Sequence, residues 1–201
     1  MKPQYAIIYD LETSGLEQNR HDITQIAATV IELRSLERGP EFEAKIDFDR
    51  HSADPEALKI NSYDESVWTE QQIPKSQAAA LFDRFIQPYR YSFISQKGNL
   101  CKTGFGCGHN TERFDAPFLQ AWYRRMGKWC PIGFKGMDTL QMALTLETCR
   151  HEIDFGGKHK LADVAGTLGI PIPENLHDAM DDVRLTADVF VTIMRMLRGE
   201  A

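Results

Sequence analysis

Four acidic residues, which lie in three distant segments, are the side chains of this sequence best suited to catalysis. Asp10 and Glu12 stand in the motif DLETSG, Asp115 ends GHNTERFD, and Asp182 ends HDAMDD. Converging carboxylates repel one another unless a cation lies between them, and hard oxygen ligands without thiols are those that Mg²⁺ and Mn²⁺ prefer. These residue types therefore predict a metal-dependent phosphodiester hydrolase.

The first acidic pair directly follows an apolar run. Tyr5 to Asp10 is predicted to be a buried strand, followed by a loop over DLETSG. Side chains at i and i+2 of an extended chain point to the same side, so Asp10 and Glu12 can reach one ion. A D-x-E pair is common in solvated turns, but a carboxylate beside a buried strand needs a partner to offset its lost hydration.

The helix predicted from Asp178 to Leu197 distinguishes the three aspartates of HDAMDD. Residues at i, i+3, i+4 and i+7 share a helical face. Asp182 lies on the apolar face with Val189, whereas Asp181 lies with Arg184 on an outward charged face. Asp178 precedes the helical run and is suited to cap its N-terminus. Asp182 is therefore the candidate ligand.

His177 is the candidate general base. It stands five residues before Asp182, which on a continuous helix would place it about 140 degrees away, so it can reach the same site only from a preceding loop. A loop histidine that titrates near neutrality is suited to accept a proton from an attacking water. Ordinary structural roles are predicted for His21, His51, His151 and His159.

The order of elements predicts an α/β fold. Strands at Ile23–Leu33 and Phe42–Phe48 follow the first strand and suggest an antiparallel meander. Helices then alternate with strands, which indicates a mixed sheet with helices on both faces. Residues 91–104 show no clear period and are predicted to be a loop. The later elements are helices at Pro55–Ile60, Ser76–Tyr89, 114–127, Leu140–Leu146 and Lys160–Leu168, and strands at Phe105–Gly108 and Phe134–Asp138.

Length and composition predict a single domain, residues 1–201. No segment approaches the roughly 20 apolar residues of a membrane span and no signal peptide is recognisable, so a cytoplasmic protein without membrane contact is expected. The four cysteines lack metal-binding spacing and are expected to be idle thiols. The net charge of −6 is compatible with a polyanionic substrate, because four of the negative charges belong to the proposed metal ligands.

Three segments resemble the exonuclease motifs of the DEDD superfamily, in its histidine-bearing, DnaQ-like subgroup (DEDDh). They are DLETSG, GHNTERFDAPFL and HDAMDDVRLT, and a weaker likeness includes MDTL. The resemblance implies a ribonuclease H-like fold and 3′-5′ exonuclease activity on DNA or RNA, preferably single-stranded, with release of nucleoside 5′-monophosphates. It assigns two divalent ions, Mg²⁺ or Mn²⁺, to Asp10, Glu12, Asp115 and Asp182, and it makes His177 the general base.

The same resemblance suggests contacts with the substrate. Thr13 would touch the terminal sugar, Asn110 would brace the second motif, and Leu11, Leu16 and Phe114 would pack against terminal bases. Loop capping for the two polar residues and core packing for the three apolar residues are equally compatible with the sequence.

A stretch of the chain from Trp122 to Gly136 contains four cations and no acid. Its cations either follow the phosphates of a bound strand or simply favour the C-terminal end of a helix. They are Arg124, Arg125, Lys128 and Lys135.

The principal alternative to an enzyme is a non-catalytic module of the same fold that binds nucleic acid or a polymerase. The complete set of acids favours the enzyme, because a module that only binds has no chemical need for a buried acidic cluster. The expected partner is the 3′ end of DNA or RNA. The sequence leaves open whether the protein acts alone, as a homodimer, or in a polymerase or repair complex, and what residues 148–158 do.

Overall fold

A computed structural model describes residues 2–61, 63–173 and 178–200 of the chain. Its six strands form one sheet in the order β3-β2-β1-β5-β4, with β6 also paired to β5. The predicted α/β class is confirmed. The strands are β1 (Tyr5–Thr13), β2 (Ile23–Glu32), β3 (Arg38–Lys45), β4 (Tyr91–Ile94), β5 (Leu100–Gly108) and β6 (Ile132–Asp138).

Seven α-helices and one short 3-10 helix, at Gln87–Tyr89, occur in the described residues. Six agree in place with predicted helices, whereas α2 is not predicted by the sequence analysis. None of these helices is long and apolar enough to cross a membrane. They are α1 (Pro55–Ile60), α2 (Glu65–Gln71), α3 (Lys75–Ile86), α4 (Asp115–Arg125), α5 (Thr139–Cys149), α6 (Leu161–Thr167) and α7 (Ala179–Arg198).

The sheet is mixed, as predicted. β1, β2 and β3 form an antiparallel meander, in which Asp10 of β1 lies opposite Ala27 of β2. β5 then runs parallel to β1, with Ile7 opposite Gly106, and β6 runs parallel to β5. β4 is antiparallel to the first half of β5. Parallel neighbours place the carboxyl ends of β1, β5 and β6 at one edge of the sheet.

Alternate residues of β1 face two separate hydrophobic clusters. Ala6 and Ile8 are fully buried against residues of α5, α6 and α7. Ile7, Tyr9 and Leu11 are buried on the opposite face with residues of α3 and α4. The period of two in a strand explains this division, and it confirms the prediction of helices on both faces.

The first strand is longer than predicted. Asp10, Leu11 and Glu12 continue the pairing with β2, and the register shifts only between Glu12 and Thr13. The loop predicted over DLETSG therefore begins at Ser14, and the prediction of a loop over residues 11–13 is wrong. The main-chain bonds of the ladder outweigh the polar character of these side chains because the strand lies in the middle of the sheet.

Residues 91–104 form a β-hairpin, so the prediction of a loop is wrong. β4 pairs with β5 from Tyr91 opposite Thr103 to Ile94 opposite Leu100. Ser95 and Asn99 close the turn through a backbone hydrogen bond, and Gly98 adopts a φ of 79° that favours glycine. β4 has no fully buried residue, so its sequence lacks the alternation that marks a half-buried strand.

All four cysteines are free thiols. Cys107 is buried, and burial raises the pKa of its thiol well above the usual range. Burial also raises the pKa of Cys130 to about 12. Since the thiolate is the reactive form, a raised pKa is the state expected of idle thiols.

Candidate active site

Three of the predicted acids lie together at the carboxyl end of β1. Carboxylate oxygens of Asp10, Glu12 and Asp182 all lie within 4.8 Å of one another. Asp10 and Glu12 lie two residues apart on β1, and Asp182 comes from the first turn of α7. The i, i+2 spacing and the inward face of the helix bring these side chains together, as the sequence predicts.

The three aspartates at the N-terminus of α7 make different contacts. Asp178 caps the helix, and its Oδ1 accepts hydrogen bonds from the backbone N–H groups of Met180 at 3.0 Å and Asp181 at 3.4 Å. Its Oδ2 accepts a further hydrogen bond from the Gln25 side chain at 3.2 Å. Asp181 pairs with Arg184 on the outer face. The predicted cap and the predicted outward aspartate are both confirmed.

The fourth acid reaches the same place from another element. Asp115 is the first residue of α4 and is buried. Its Oδ1 accepts a hydrogen bond from the backbone N–H of Leu11, at 3.2 Å. Leu11 stands between Asp10 and Glu12, so this bond fixes Asp115 beside the acidic pair.

Burial and mutual repulsion disfavour the charged forms of these acids. Burial raises the pKa of Asp10 well above its usual range, and the charges of Asp115, Glu12 and Asp182 raise it further. Burial raises the pKa of Glu12 from 4.5 to about 8, and Asp182 and Asp115 add to the effect. Burial likewise raises the pKa of Asp115 to about 7. A neighbouring cation would favour the ionised forms of all these groups.

The donor set fits a divalent cation. Two oxygen ligands of one Mg²⁺ or Ca²⁺ ion lie at most about 5 Å apart, since each lies at about 2.0 to 2.6 Å from the ion. The oxygens of Asp10, Glu12 and Asp182 lie within 4.8 Å of one another, which meets the limit for a larger ion and lies within a small side-chain adjustment of the roughly 4.2 Å that two Mg²⁺ ligands can span. All three are hard carboxylate oxygens, which favour Mg²⁺ or Mn²⁺ over softer metals.

The residues after the acidic pair form a tightly bonded loop. The hydroxyl of Thr13 donates to the carbonyl of Gly15 at 2.9 Å, and the carbonyl of Thr13 accepts from the Asn61 side chain at 2.9 Å. Leu11 is 5% exposed and packs in the core, whereas Leu16 is 77% exposed. Leu16 is thus the predicted apolar contact that the fold leaves open to a ligand.

The second motif is braced by an acid to which the sequence analysis assigns no role. Asp138 is buried, and its Oδ1 accepts from the backbone N–H groups of Asn110 and Leu140, each at 2.9 Å. Asn110 adopts a left-handed φ of 61°. Phe114 is half-buried and packs on Phe118 with ring centroids 5.6 Å apart. An aspartate between a strand and a helix, as in MDTL, is the signal for this cap.

His177 lies outside the described residues, and its role as the general base stays a prediction. The histidine that the structure ties to the second motif is His109, whose Nδ1 lies 2.9 Å from the Thr139 hydroxyl and whose Nε2 lies 2.8 Å from the carbonyl of His159. Burial lowers the pKa of His109. Both of its ring nitrogens are occupied, so His109 holds the N-terminus of α5 to the loop that precedes α6.

The loop that joins β1 to β2 is anchored by Asp22. This carboxylate is buried and forms ion pairs with Lys75 of α3 and Arg125 of α4. Arg125 also donates to the backbone carbonyls of Gln18 and His21. The guanidinium of Arg125 is thus committed to the fold, which removes it from the cations that were candidates for contact with phosphate.

Solved structures with this fold include exonuclease I of E. coli. In its complex with a dA16 oligonucleotide, that enzyme matches with a TM-score of 0.72 and 17% identity, over 96% of this chain and 41% of that one. Exonuclease I of Methylocaldum szegediense matches with a TM-score of 0.70 and 19% identity, over 97% and 43%. The chain spans about two-fifths of the length of these enzymes. The expected ribonuclease H-like fold is confirmed.

Sequence comparison identifies the family. None of the curated proteins is significantly similar to the chain. The family model RNase_T, described as exonuclease, matches residues 7–190. This range includes α4 and most of β1 and α7, and it contains all four acids. The chain belongs to the RNase_T exonuclease family.

Proposed function

We propose that the protein is a metal-dependent 3′-5′ exonuclease of the DEDDh type, which removes nucleoside 5′-monophosphates from single-stranded DNA or RNA. The observation that carries the proposal is the meeting of acids from β1 and α7 within 4.8 Å, with a further acid from α4 bonded to the backbone between the first two. Half-buried and buried carboxylates this close together repel one another and destabilise the fold unless they bind cations, so the presence of the cluster points to a function.

Asp10, Glu12, Asp115 and Asp182 are the residues that would hold two divalent cations. Such ions activate a water molecule for attack on the phosphorus and stabilise the departing 3′ oxygen. The chain's own contribution is to keep the four acids in place, through the β1 ladder, the Leu11 bond to Asp115 and the α7 cap. His177, which precedes α7 in the sequence, would accept the proton of the attacking water.

A single-stranded substrate is supported by the neighbours in fold. The solved E. coli enzyme binds dA16 and dT13 oligonucleotides, and a further structure is a complex with single-stranded DNA in a zinc-bound form. A terminal nucleotide must enter a narrow acidic site, and unpairing a duplex end costs additional energy. DNA and RNA are both retained as substrates, because the described residues do not identify a contact at the 2′ position.

The activity is tested with a 5′-labelled single strand that carries either a free or a phosphorylated 3′ end. The protein should shorten the free strand one nucleotide at a time with Mg²⁺ or Mn²⁺, and EDTA should stop the reaction. Cleavage of the blocked strand at internal positions would refute the assignment as an exonuclease. Tight binding without any cleavage would support a non-catalytic module instead.

The metal ligands are tested by a matched pair of substitutions on one turn of helix. Asp182→Asn should lower turnover by at least about a hundredfold, because it removes a charged ligand and leaves the side-chain volume unchanged. Asp181→Asn should retain activity, because Asp181 pairs with Arg184 on the outer face. Circular dichroism should show both variants folded. Equal activity of the two variants would remove Asp182 from the site.

The general base is tested through His177→Ala. A proton acceptor contributes roughly 10²- to 10⁴-fold to a rate, so turnover at neutral pH should fall in that range while the Kd for an oligonucleotide in EDTA stays unchanged. His51→Ala serves as the control, since His51 is exposed and distant in sequence from the motifs. Unchanged turnover in His177→Ala would exclude this role.

A further inference from the structure

A groove with a volume of about 470 Å³ follows one face of α4. Ala116, Gln120 and Arg124 line it at intervals of four residues, and Phe134 of β6 lines it from the other side. The helical rise of 1.5 Å per residue gives a length of about 12 Å between the first and third of these helical residues. Because Ala116 follows Asp115 directly, one end of the groove lies beside the acidic cluster.

The rim of this groove carries an exposed aromatic ring. The side chain of Phe134 is 88% exposed, although the residue belongs to a strand of the sheet. Single exposed apolar residues are ordinary, but a nearly bare aromatic ring on the rim of a groove offers a flat face on which a planar ligand can stack.

The far end of the groove carries a cation, Arg124, in a protein whose net charge is −6. Arg124, Lys128 and Lys135 are exposed, and none of them forms an ion pair within the described residues. Among the residues that line the groove, Glu112 is the acid, and it precedes α4 near the acidic cluster. Arg124 therefore lies at the far end of the groove, where the proposed metal ions cannot neutralise a phosphate.

We infer that the groove binds the nucleotides that precede the terminal one in a single-stranded substrate, with a base stacked on Phe134 and a phosphate paired with Arg124. The inference rests on the proposed function and extends it. A length of about 12 Å accommodates roughly three stacked nucleotides at about 3.4 Å each. Exposed aromatic rings with interspersed cations are the combination by which proteins hold single strands without reading their sequence.

Stacking on Phe134 is tested by measuring binding to a fluorescent decanucleotide in EDTA. Phe134→Leu keeps an apolar side chain without an aromatic face, and it should weaken binding about tenfold, whereas Phe134→Tyr should stay within about twofold. Leu197→Ala is the control, because Leu197 is 48% exposed at the end of α7, across the sheet from the groove. It should leave the Kd unchanged.

The phosphate contact is tested through the dependence of binding on salt. Arg124→Gln should reduce the slope of log Kd against log salt concentration by about 0.7, the value for the loss of one contact with a single strand. Lys97→Gln, on the exposed turn between β4 and β5, should leave that slope unchanged. Equal slopes for wild type and Arg124→Gln would overturn this contact.

Substrate length separates the groove from the acidic site. Phe134→Leu should raise the KM for the decanucleotide about tenfold and the KM for a dinucleotide less than twofold, because a dinucleotide is too short to reach the far end of the groove. An equal rise for both substrates would overturn the inference, since the ring would then act on the terminal nucleotide.

Failure of this inference is distinguishable from failure of the proposed function. If the wild-type protein cleaves no strand, the proposed function fails. If it cleaves strands and Phe134→Leu binds the decanucleotide as the wild type does, only the groove assignment is overturned. A change in oligomeric state of Phe134→Leu in gel filtration would also overturn it, because the exposed ring would then serve a contact between protein chains.

Discussion

Replacing Glu12 with glutamine is expected to stabilise the metal-free protein, although it removes a proposed ligand. Burial raises the pKa of Glu12 from 4.5 to about 8, and the charges of Asp182 and Asp115 reinforce the shift. A carboxyl group whose pKa is raised by folding holds its proton more tightly in the folded state. Its stabilising contribution is therefore complete below about pH 4.5 and is lost as the pH rises toward about 8.

The magnitude follows from the pKa difference. At about pH 7, which is about 2.5 units above the pKa of Glu12 in the unfolded chain, Glu12 is ionised in the unfolded chain and still largely protonated in the folded protein. At about 1.4 kcal/mol per pH unit, this difference lowers the free energy of unfolding by about 3 kcal/mol. For a chain of this size, that free energy corresponds to roughly 6 to 12 °C in Tm. Glutamine has no charge to lose and avoids the cost.

The measurement is thermal unfolding in EDTA, followed by circular dichroism at about pH 5 and pH 7. Glu12→Gln should exceed the wild type in Tm at the higher pH, and the difference should shrink toward the lower pH. Adding Mg²⁺ should stabilise the wild type more than the variant, because only the wild type retains the complete ligand set.

Glu37→Gln provides the matched control. Glu37 is exposed, and its replacement should change stability by less than about 0.5 kcal/mol at either pH. The reasoning would be refuted if Glu12→Gln were no more stable than the wild type in EDTA at pH 7, or if its advantage did not depend on pH.

Substitutions at three further positions, Asp178, Gly15 and Asp22, test the supports of the site in the metal-free protein. Asp178→Asn keeps the cap of α7 whereas Asp178→Ala removes it, so urea denaturation should find the asparagine variant more stable by about 1 kcal/mol. Gly15→Ala would place a methyl group 2.6 Å from the ring of His21 and should cost roughly 1 to 3 kcal/mol, while Gly166→Ala, which meets only an ordinary contact at 3.7 Å in α6, should not destabilise the protein. Asp22→Asn removes the charge that pairs with Lys75 and Arg125. It should lower the free energy of unfolding by about 1 kcal/mol at low salt and by less at high salt.

The helical part of the candidate site is predictable because one periodicity determines it. With 3.6 residues per turn, Asp181 and Asp182 must point to different sides of α7, and the apolar residues show which side is inward. The structure agrees, since Asp181 pairs with Arg184 while Asp182 joins the acids of β1. The direction of a side chain on a helix can therefore be predicted from sequence spacing alone, because it depends only on residues nearby in the sequence.

The remaining features depend on contacts between distant segments. The hydrogen bond from Leu11 to Asp115 joins residues 104 positions apart, and no property of either segment alone predicts it. The continuation of β1 through Glu12 depends on its pairing with β2, which overrides the polar character of the motif. The hairpin of β4 has no fully buried face, so hydrophobic alternation could not reveal it.

The position of α7 has a consequence for the synthesis of the protein. Asp182 enters the cluster only when α7 docks against β1 and β2, and α7 follows both β1 and α4 along the chain. Because chains emerge from the ribosome in the N- to C-terminal direction, a nascent chain that has made β1 and α4 still lacks one of the four acids until α7 has been made. The complete acidic cluster therefore forms only after the strands of the sheet have been synthesised.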